Sequence, residues 1–301
     1  MSLVSIGIPV YNGQNYIRES INSVLSQTFD DFELIISDNA STDDTKEICM
    51  EFAGRDSRVR YHRNDENLGY AKNFNKVFEL SSGTYFKWIP HDDIIHPTFL
   101  EKCIRVMDEF PDVIGVFPGM AYIDERGKVI QYCSKDYSIM GEDHAGRLRE
   151  LMNLEIDGTE IFWSIYSLLR RDVLGKTSLH GTYVASDRVL LLELVLQGKI
   201  KHIDDMLLFI RKHPESSMKI CRLPKERYKW ANSGRTPLLV FPSWNVAYQH
   251  YKTIGRYDVG IIQRFKGYYE VSRKIVKKDL RTLGGEIKVV GKELIGMKDV
   301  R

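Results

Sequence analysis

The chain has 301 residues, with 43 Lys and Arg against 41 Asp and Glu, a net charge of +2 and 43% hydrophobic residues. That balance lacks the basic footprint of a nucleic-acid-binding protein, and the length is enough to bury a large core. No apolar run reaches the roughly eighteen residues of a membrane-spanning helix. The first residues enter strand-like sequence at Leu3, so no signal peptide is expected. Cys49, Cys103, Cys133 and Cys221 are scattered without metal-ligand spacing. They read as small buried residues, and a reducing cytoplasmic setting is the expectation.

In chain order, Leu3 to Val10 reads as a strand. Gln14 to Gln27 follows as a helix, with Ile17, Ile21, Val24 and Leu25 on one stripe. Phe32 to Ser37 is the second strand, and a helix opens at Ser41 or Thr42 with Ile48 and Phe52 four apart. Val59 to His62 is a short third strand, Tyr70 to Leu80 a helix broken by Gly83, and Thr84 to Ile89 a fourth strand. Pro97 to Phe110 is helical and stops at Pro111. Four strand–helix units predict a parallel sheet covered by helices, with ligands at the carboxyl ends of the strands.

After Pro111 the alternation loosens. Val113 to Phe117 and Met120 to Ile123 read as two strands, and Asp124 to Gly127 as a turn into a strand from Lys128 to Tyr132. Ala145 to Asn153 is a helix, while Glu160 to Leu169 has no clear period. Asp187 to Gln197 is strongly helical and ends at Gly198, a residue suited to a left-handed cap.

The polar residues with chemical content fall at the predicted strand ends. Strand one is followed by Tyr11-Asn12-Gly13, strand two by Asp38-Asn39, and strand four by His91-Asp92-Asp93. A buried strand that stops in two acids suggests a site for something cationic, because an unpaired buried carboxylate is costly. A hard divalent cation holding a phosphorylated substrate fits that description. The plain alternative is that either acid caps the next helix, as Asp38 and Asp187 also could.

Taken together, Ile8-Pro9-Val10-Tyr11-Asn12, Ser37 to Asp43, Asn67-Leu68-Gly69 and His91-Asp92-Asp93 resemble the family 2 glycosyltransferases across about residues 3 to 215. The resemblance implies an α/β GT-A fold, a mostly parallel Rossmann-like sheet flanked by helices, and inverting transfer of a sugar from a nucleotide-diphosphate donor. A UDP-sugar is the implied donor, with guanine and thymine open, and the implied acceptor is a hydroxyl of a glycan or lipid-linked saccharide, as in polysaccharide and cell-envelope assembly.

The resemblance also assigns residues. Pro9, Val10 and Tyr11 would line the base or ribose pocket, and Asp38 would accept a hydrogen bond from the base. Asn67 and Gly69 would flank the base, with Lys72 near the phosphates. The usual Asp-x-Asp motif has His91 in place of its first acid; Asp93 would then ligate Mn2+ or Mg2+ directly and Asp92 would contact the ribose or a water. Asp187 falls where the family places its general base, with Ser186 where a Glu is frequent. In Phe209 to Ser217, His213 would complete the metal site or meet the diphosphate, and the basic residues beside it would neutralise phosphate.

The catalytic domain is expected over residues 1–217, with a nucleotide-sugar half to about 112 and an acceptor half over 113–217. Residues 218–301 form a helical, aromatic and basic extension. Within it, Asp258 to Leu283 reads as a helix carrying Ile261, Ile262, Phe265, Tyr268, Tyr269, Ile275, Val276 and Leu280 on one face, with basic residues opposite. Packing on the catalytic domain is the commoner fate of such a helix, and peripheral contact with the cytoplasmic membrane face is the alternative. Two other functions share these features. A sugar-phosphate nucleotidyltransferase calls for a Gly-rich basic loop after strand one, which Tyr11 to Gln14 is not. A non-catalytic sugar-nucleotide-binding protein needs no base at Asp187.

Overall fold

The computed structural model describes residues 2–133, 135–158, 160–216 and 241–294, with side chains to residue 290. Strands β1 (Val4–Val10) and β2 (Phe32–Asp38) are buried along their whole length. Strands covered on both faces read as continuous apolar runs, which is why both were visible without alternation. Both pair in parallel, with Val10 opposite Asp38, and β3 (Val59–Arg63) extends the sheet beyond β2. On the other side of β1 lies β4 (Tyr85–Trp88), again parallel.

The remaining strands are β5 (Ile94–Ile95), β6 (Val113–Ile123), β7 (Val129–Cys133), β8 (Leu168–Arg170) and β9 (Lys199–Arg211). Among the described residues they form one nine-stranded sheet in the order β3-β2-β1-β4-β8-β6-β9-β5, with β7 on β6. The pairings of β8 with β4 and β6, of β5 with β9 and of β7 with β6 are antiparallel. The fold is thus a mostly parallel α/β sheet with helices. Its strand order reverses direction beside β1, so the carboxyl ends of β1 and β4 open a crevice.

The helices are α1 (Ile17–Leu25), α2 (Thr45–Arg55), α3 (Tyr70–Glu79), α4 (Phe99–Glu109), α5 (His144–Ile156), α6 (Arg171–Leu174) and α7 (Ser186–Gln197). Beyond the gap come α8 (Pro242–Arg256), α9 (Ile261–Lys274), a π turn (Ile275–Asp279) and α10 (Leu280–Leu294). The domain boundary expected near residue 217, and Cys221, lie outside the described residues.

Several elements differ from the sequence reading. The two strands expected between Val113 and Ile123 are one strand, which changes register against β9 around Pro118 and Gly119. Glu160 to Leu169 resolves into a 3-10 helix (Ile161–Tyr166) feeding β8. β9 begins directly after α7; its Lys199, Lys201, His202, Asp204 and Asp205 hide the strand signal. Helix α2 starts at Thr45 because Asp43 Oδ1 accepts from the Thr45 amide and Asp38 Oδ1 holds the Ser41 amide outside the helix. Gly198 is extended, at φ −175°, and is needed for space instead: a Cβ there would lie 2.2 Å from Ile114.

Candidate active site at the carboxyl edge

The loop after β1 folds onto the loop after β2. The Asn12 amide donates to Ser41 Oγ (2.9 Å), the Gly13 amide to Thr45 Oγ1 (2.8 Å), and the Thr42 amide to Asn12 Oδ1 (2.9 Å). Asn12 and Ala40 take left-handed φ values of 53° and 60° to make this turn. A Cβ on Gly13 would come within 2.7 Å of the His91 ring, so glycine admits the third loop to the same place. Pro9 and Val10 are buried beneath, and Tyr11 is 44% exposed at the rim.

Asp38 is fully buried at the end of β2. Its Oδ2 accepts from the Tyr61 hydroxyl (2.7 Å) and Arg63 Nη1 (2.5 Å), while Oδ1 accepts, among the described residues, from the Ser41 amide alone (2.8 Å). Oδ1 therefore retains an acceptor position. Neither Tyr61 nor Arg63 was singled out from the sequence. They stand two apart on β3 and so share one face, a period-two signal that was there to be used. Asn67 Oδ1 accepts from Asn39 Nδ2 (2.8 Å) and from the Gly69 amide (2.9 Å). Asn39, Asn64 and Asn73 extend this into a buried amide ladder that ties α3 to the sheet. Gly69, at φ 83°, starts α3, and Lys72 on its first turn is exposed.

The two acids after β4 face different ways. Asp93 is 2% exposed and its Oδ1 accepts from the Arg211 amide (2.9 Å). Burial and the neighbouring Asp92 charge push its carboxyl well above the usual range. Below it Lys87, also fully buried, donates to the Tyr166 carbonyl (2.5 Å) and sits 4.1 Å from the Phe99 ring centroid; burial lowers its ammonium to about 7. Asp92 instead meets His213, with Oδ2 2.9 Å from Nε2. Burial opposes the Asp92 charge, yet His91 and His213 hold its carboxyl below the usual range. His213 is packed against Tyr16, ring centroids 4.7 Å apart, and its Nδ1 has no partner among the described residues.

Arg211 is hydrogen-bonded to the chain itself. It is 3% exposed, with Nε on the Asp92 carbonyl (2.9 Å), Nη1 on the Glu125 carbonyl (3.0 Å) and Nη2 on Glu19 Oε2 (2.6 Å). Lys212 lies 3.3 Å from the Tyr122 ring centroid. The guanidinium thus clamps the acidic turn to the end of β9.

Asp187 lies on the first turn of α7, one residue inside the helix. The residue before the helix is Ala185 in a left-handed conformation (φ 61°), with no side-chain cap. Among the described residues Asp187 Oδ1 accepts from the adjacent Arg188 amide (3.0 Å). Burial pushes its carboxyl up, against the pull of Arg188. Tyr166, another residue not singled out, lies within the electrostatic reach of Asp93, Asp187 and Asp92 together, and these with burial raise its hydroxyl.

The glycosyl transferase family 2 model matches residues 5–177. The chain belongs to that family. A glycosyltransferase named GlyG from Streptococcus pneumoniae serotype 4 is 24% identical over 224 residues, covering 72% of this chain and 73% of that protein. An uncharacterized glycosyltransferase of Rickettsia felis is 34% identical over 139 residues, 44% of this chain, and the match spans only 22% of that protein's length. Among solved structures, S. aureus TarS 1-349 in complex with UDP-GlcNAc aligns with TM-score 0.67 at 17% identity, over 92% of this chain and 73% of that one. The mannosyltransferase PcManGT from Pyrobaculum calidifontis, in complex with GDP-Man and Mn2+, aligns with TM-score 0.51 at 14% identity, over 96% and 81%. These likenesses show the GT-A fold. The family match ends before α7, so the family 2 segment contains Asp38, Asp92 and Asp93, whereas Asp187 and His213 lie beyond it.

Proposed function

We propose that this family 2 protein transfers a sugar from a nucleoside-diphosphate donor, a UDP-sugar, to a hydroxyl of a glycan or lipid-linked saccharide with inversion. What supports the reading is the placement of Asp38 and Asp92 at or after the ends of parallel strands on one edge of the sheet, with Asp92 held against His213 at 2.9 Å and Asp187 buried with a raised carboxyl. The TarS structures in complex with UDP and with UDP-GlcNAc support uracil over the guanine of the mannosyltransferase complex.

In this reading the base lies between Tyr11 and the loop held by Asn67 and Gly69, and its N–H donates to Asp38 Oδ1. Tyr61 and Arg63 occupy Oδ2, and because Asp38 is fully buried a covering side chain must move aside to admit the base. Asp38→Ala should raise the donor KM by about tenfold or more, the worth of a hydrogen bond to a charged group, with turnover little changed. A collapse of turnover at unaltered donor KM overturns this placement. Lys72, exposed on α3, is assigned to the phosphates.

The donor set at the acidic turn suits a divalent cation. The Asp92 carboxylate oxygen and the His213 imidazole nitrogen, hydrogen-bonded at 2.9 Å, are two donors of a mixed kind that Mn2+ accepts readily and Mg2+ less so; no third His, Cys, Asp or Glu joins them among the described residues. Asp92 and His213 would hold the ion, and diphosphate oxygens would fill the remaining positions. When bound, such an ion supplies Lewis-acid neutralisation of the departing diphosphate. Asp93, turned inward onto the Arg211 amide, holds the shape of the turn. Asp187 takes the proton from the acceptor hydroxyl on the face opposite the leaving group, and its raised carboxyl makes it a better base than a solvated aspartate.

Thermal denaturation with nucleotides tests the donor half of this reading. UDP with Mn2+ should raise the midpoint more than UDP alone or GDP with Mn2+, because a ligand that binds only the folded state stabilises it. A shift with GDP alone overturns the uracil assignment. No shift with any nucleotide and metal removes the donor site.

A further inference from the structure

We propose that the outer face of α9, the π turn and α10 docks on an anionic lipid surface. Ile261, Ile262, Phe265, Tyr269, Val276 and Leu280 recur at helical spacing and are 68, 68, 66, 63, 64 and 55% exposed. They belong to the apolar face that the sequence suggested would pack on the catalytic domain. The structure packs a different face there. Gly267 and Val271 lie against α5, where a Cβ on Gly267 would come within 3.0 Å of Leu148. Lys274 pairs with Glu155 (2.8 Å) on the same side. The helix is therefore anchored by Gly267, Val271 and Lys274, with Tyr268 and Ile275 partly buried against the core, and presents the six residues of the stripe outward. Isolated exposed apolar side chains are ordinary, but a run of this kind along one helix marks an interaction surface.

The charge pattern selects the partner. Lys277 and Arg281 are exposed beside the stripe with no ion pair among the described residues, and Lys266, also exposed, has only Asp143 within its electrostatic reach. The nearby acids are already committed: Glu270 to Arg149 and Arg273, Asp279 to Lys274, and Glu286 to the Ser243 amide. A second copy of this chain set against the face would bring unpaired cations toward unpaired cations, since a two-fold contact matches a patch with itself. An anionic bilayer offers negative charge at the headgroups and apolar chains beneath. A helix with aromatic and aliphatic residues on one face and cations beside them lies at that boundary. Among the described residues no helix is long and apolar enough to cross a membrane. The contact is peripheral, and it does not depend on which sugar is transferred.

Vesicle flotation of the full chain tests this directly. The protein should float with vesicles containing phosphatidylglycerol, fail to float with phosphatidylcholine alone, and be released as salt is raised. Two double variants separate the contributions: Ile262→Ser with Phe265→Ser, and Lys277→Glu with Arg281→Glu. Each should lower the partition coefficient by at least about tenfold. The midpoint rise with UDP and Mn2+, read alongside, should match the parent and show that the variants are folded; it also keeps failure of the donor reading separate from failure of this one. The proposal is overturned if the parent ignores anionic vesicles, if it binds neutral ones equally, or if the variants float like the parent. It is likewise overturned if light scattering shows a dimer that the Ile262→Ser, Phe265→Ser variant disperses, which would assign the face to a second copy.

Discussion

Replacing Asp187 by Asn is expected to slow glycosyl transfer by about 10²–10⁴-fold, the usual cost of removing a general base. The melting temperature should stay near that of the parent. The reason lies in the helix start. Asp187 sits inside α7, with Ala185 before the helix, and its one described hydrogen bond is from the Arg188 amide. An Asn Oδ1 can accept that bond equally well, so local structure survives while proton affinity is lost. Nucleotide binding should persist as well, because Asp38, Asp92 and His213 are untouched. The acid limb of the parent's rate profile carries a second signature. Burial raises the Asp187 carboxyl. The base works only when ionised, so activity should fall as pH drops through a value above the roughly 3.9 of a free aspartate. That limb should vanish in the Asn variant. Transfer within a few-fold of the parent would leave Asp187 as a residue of the helix start and remove the inverting mechanism assigned to it.

The parts of this fold that could be read from sequence are those where one local rule decides. β1 and β2 are buried on both faces, so their apolar runs stand out, and polar residues that interrupt such runs at Asp38 and at Asp92 mark the edge of the sheet. Helix α7 is apolar nearly all round, with Leu190, Leu191, Leu192 and Leu194 fully buried, so its sequence stands out and its expected start at Asp187 lies one residue from the observed Ser186. What stayed hidden depends on partners far along the chain. The strand character of β9 is imposed by pairing with β6, against a sequence rich in Lys, His and Asp. Which of two adjacent acids is buried on a backbone amide is set by Arg211, 118 residues away. Likewise, the apolar face of α9 was visible in the sequence, but nothing local could say that Gly267 and Val271 would take the packing contact instead.

The acidic turn gives the second large effect. Asp92→Asn and His213→Ala should each abolish the Mn2+-dependent part of the midpoint rise with UDP. Each should also lower metal-supported transfer by at least about a hundredfold, since Lewis-acid stabilisation of a departing diphosphate is worth several kcal/mol. Asp93→Asn should do much less, contrary to the simple reading of the motif. Its side chain is buried, its carboxyl is driven toward the neutral form by burial and by Asp92, and its Oδ1 serves the Arg211 amide. An Asn in that place keeps the acceptor and removes a charge that is costly to bury. Arg211 supplies the control, because it clamps the same turn through the Asp92 and Glu125 carbonyls without facing a ligand. Arg211→Lys should weaken the Mn2+ response and lower the melting temperature together, whereas Asp92→Asn and His213→Ala should affect the metal response with little change in apo stability. Loss of the Mn2+ response in Asp93→Asn, with the response retained in Asp92→Asn, would return the ligand role to Asp93 and show that the turn inverts when the ion binds.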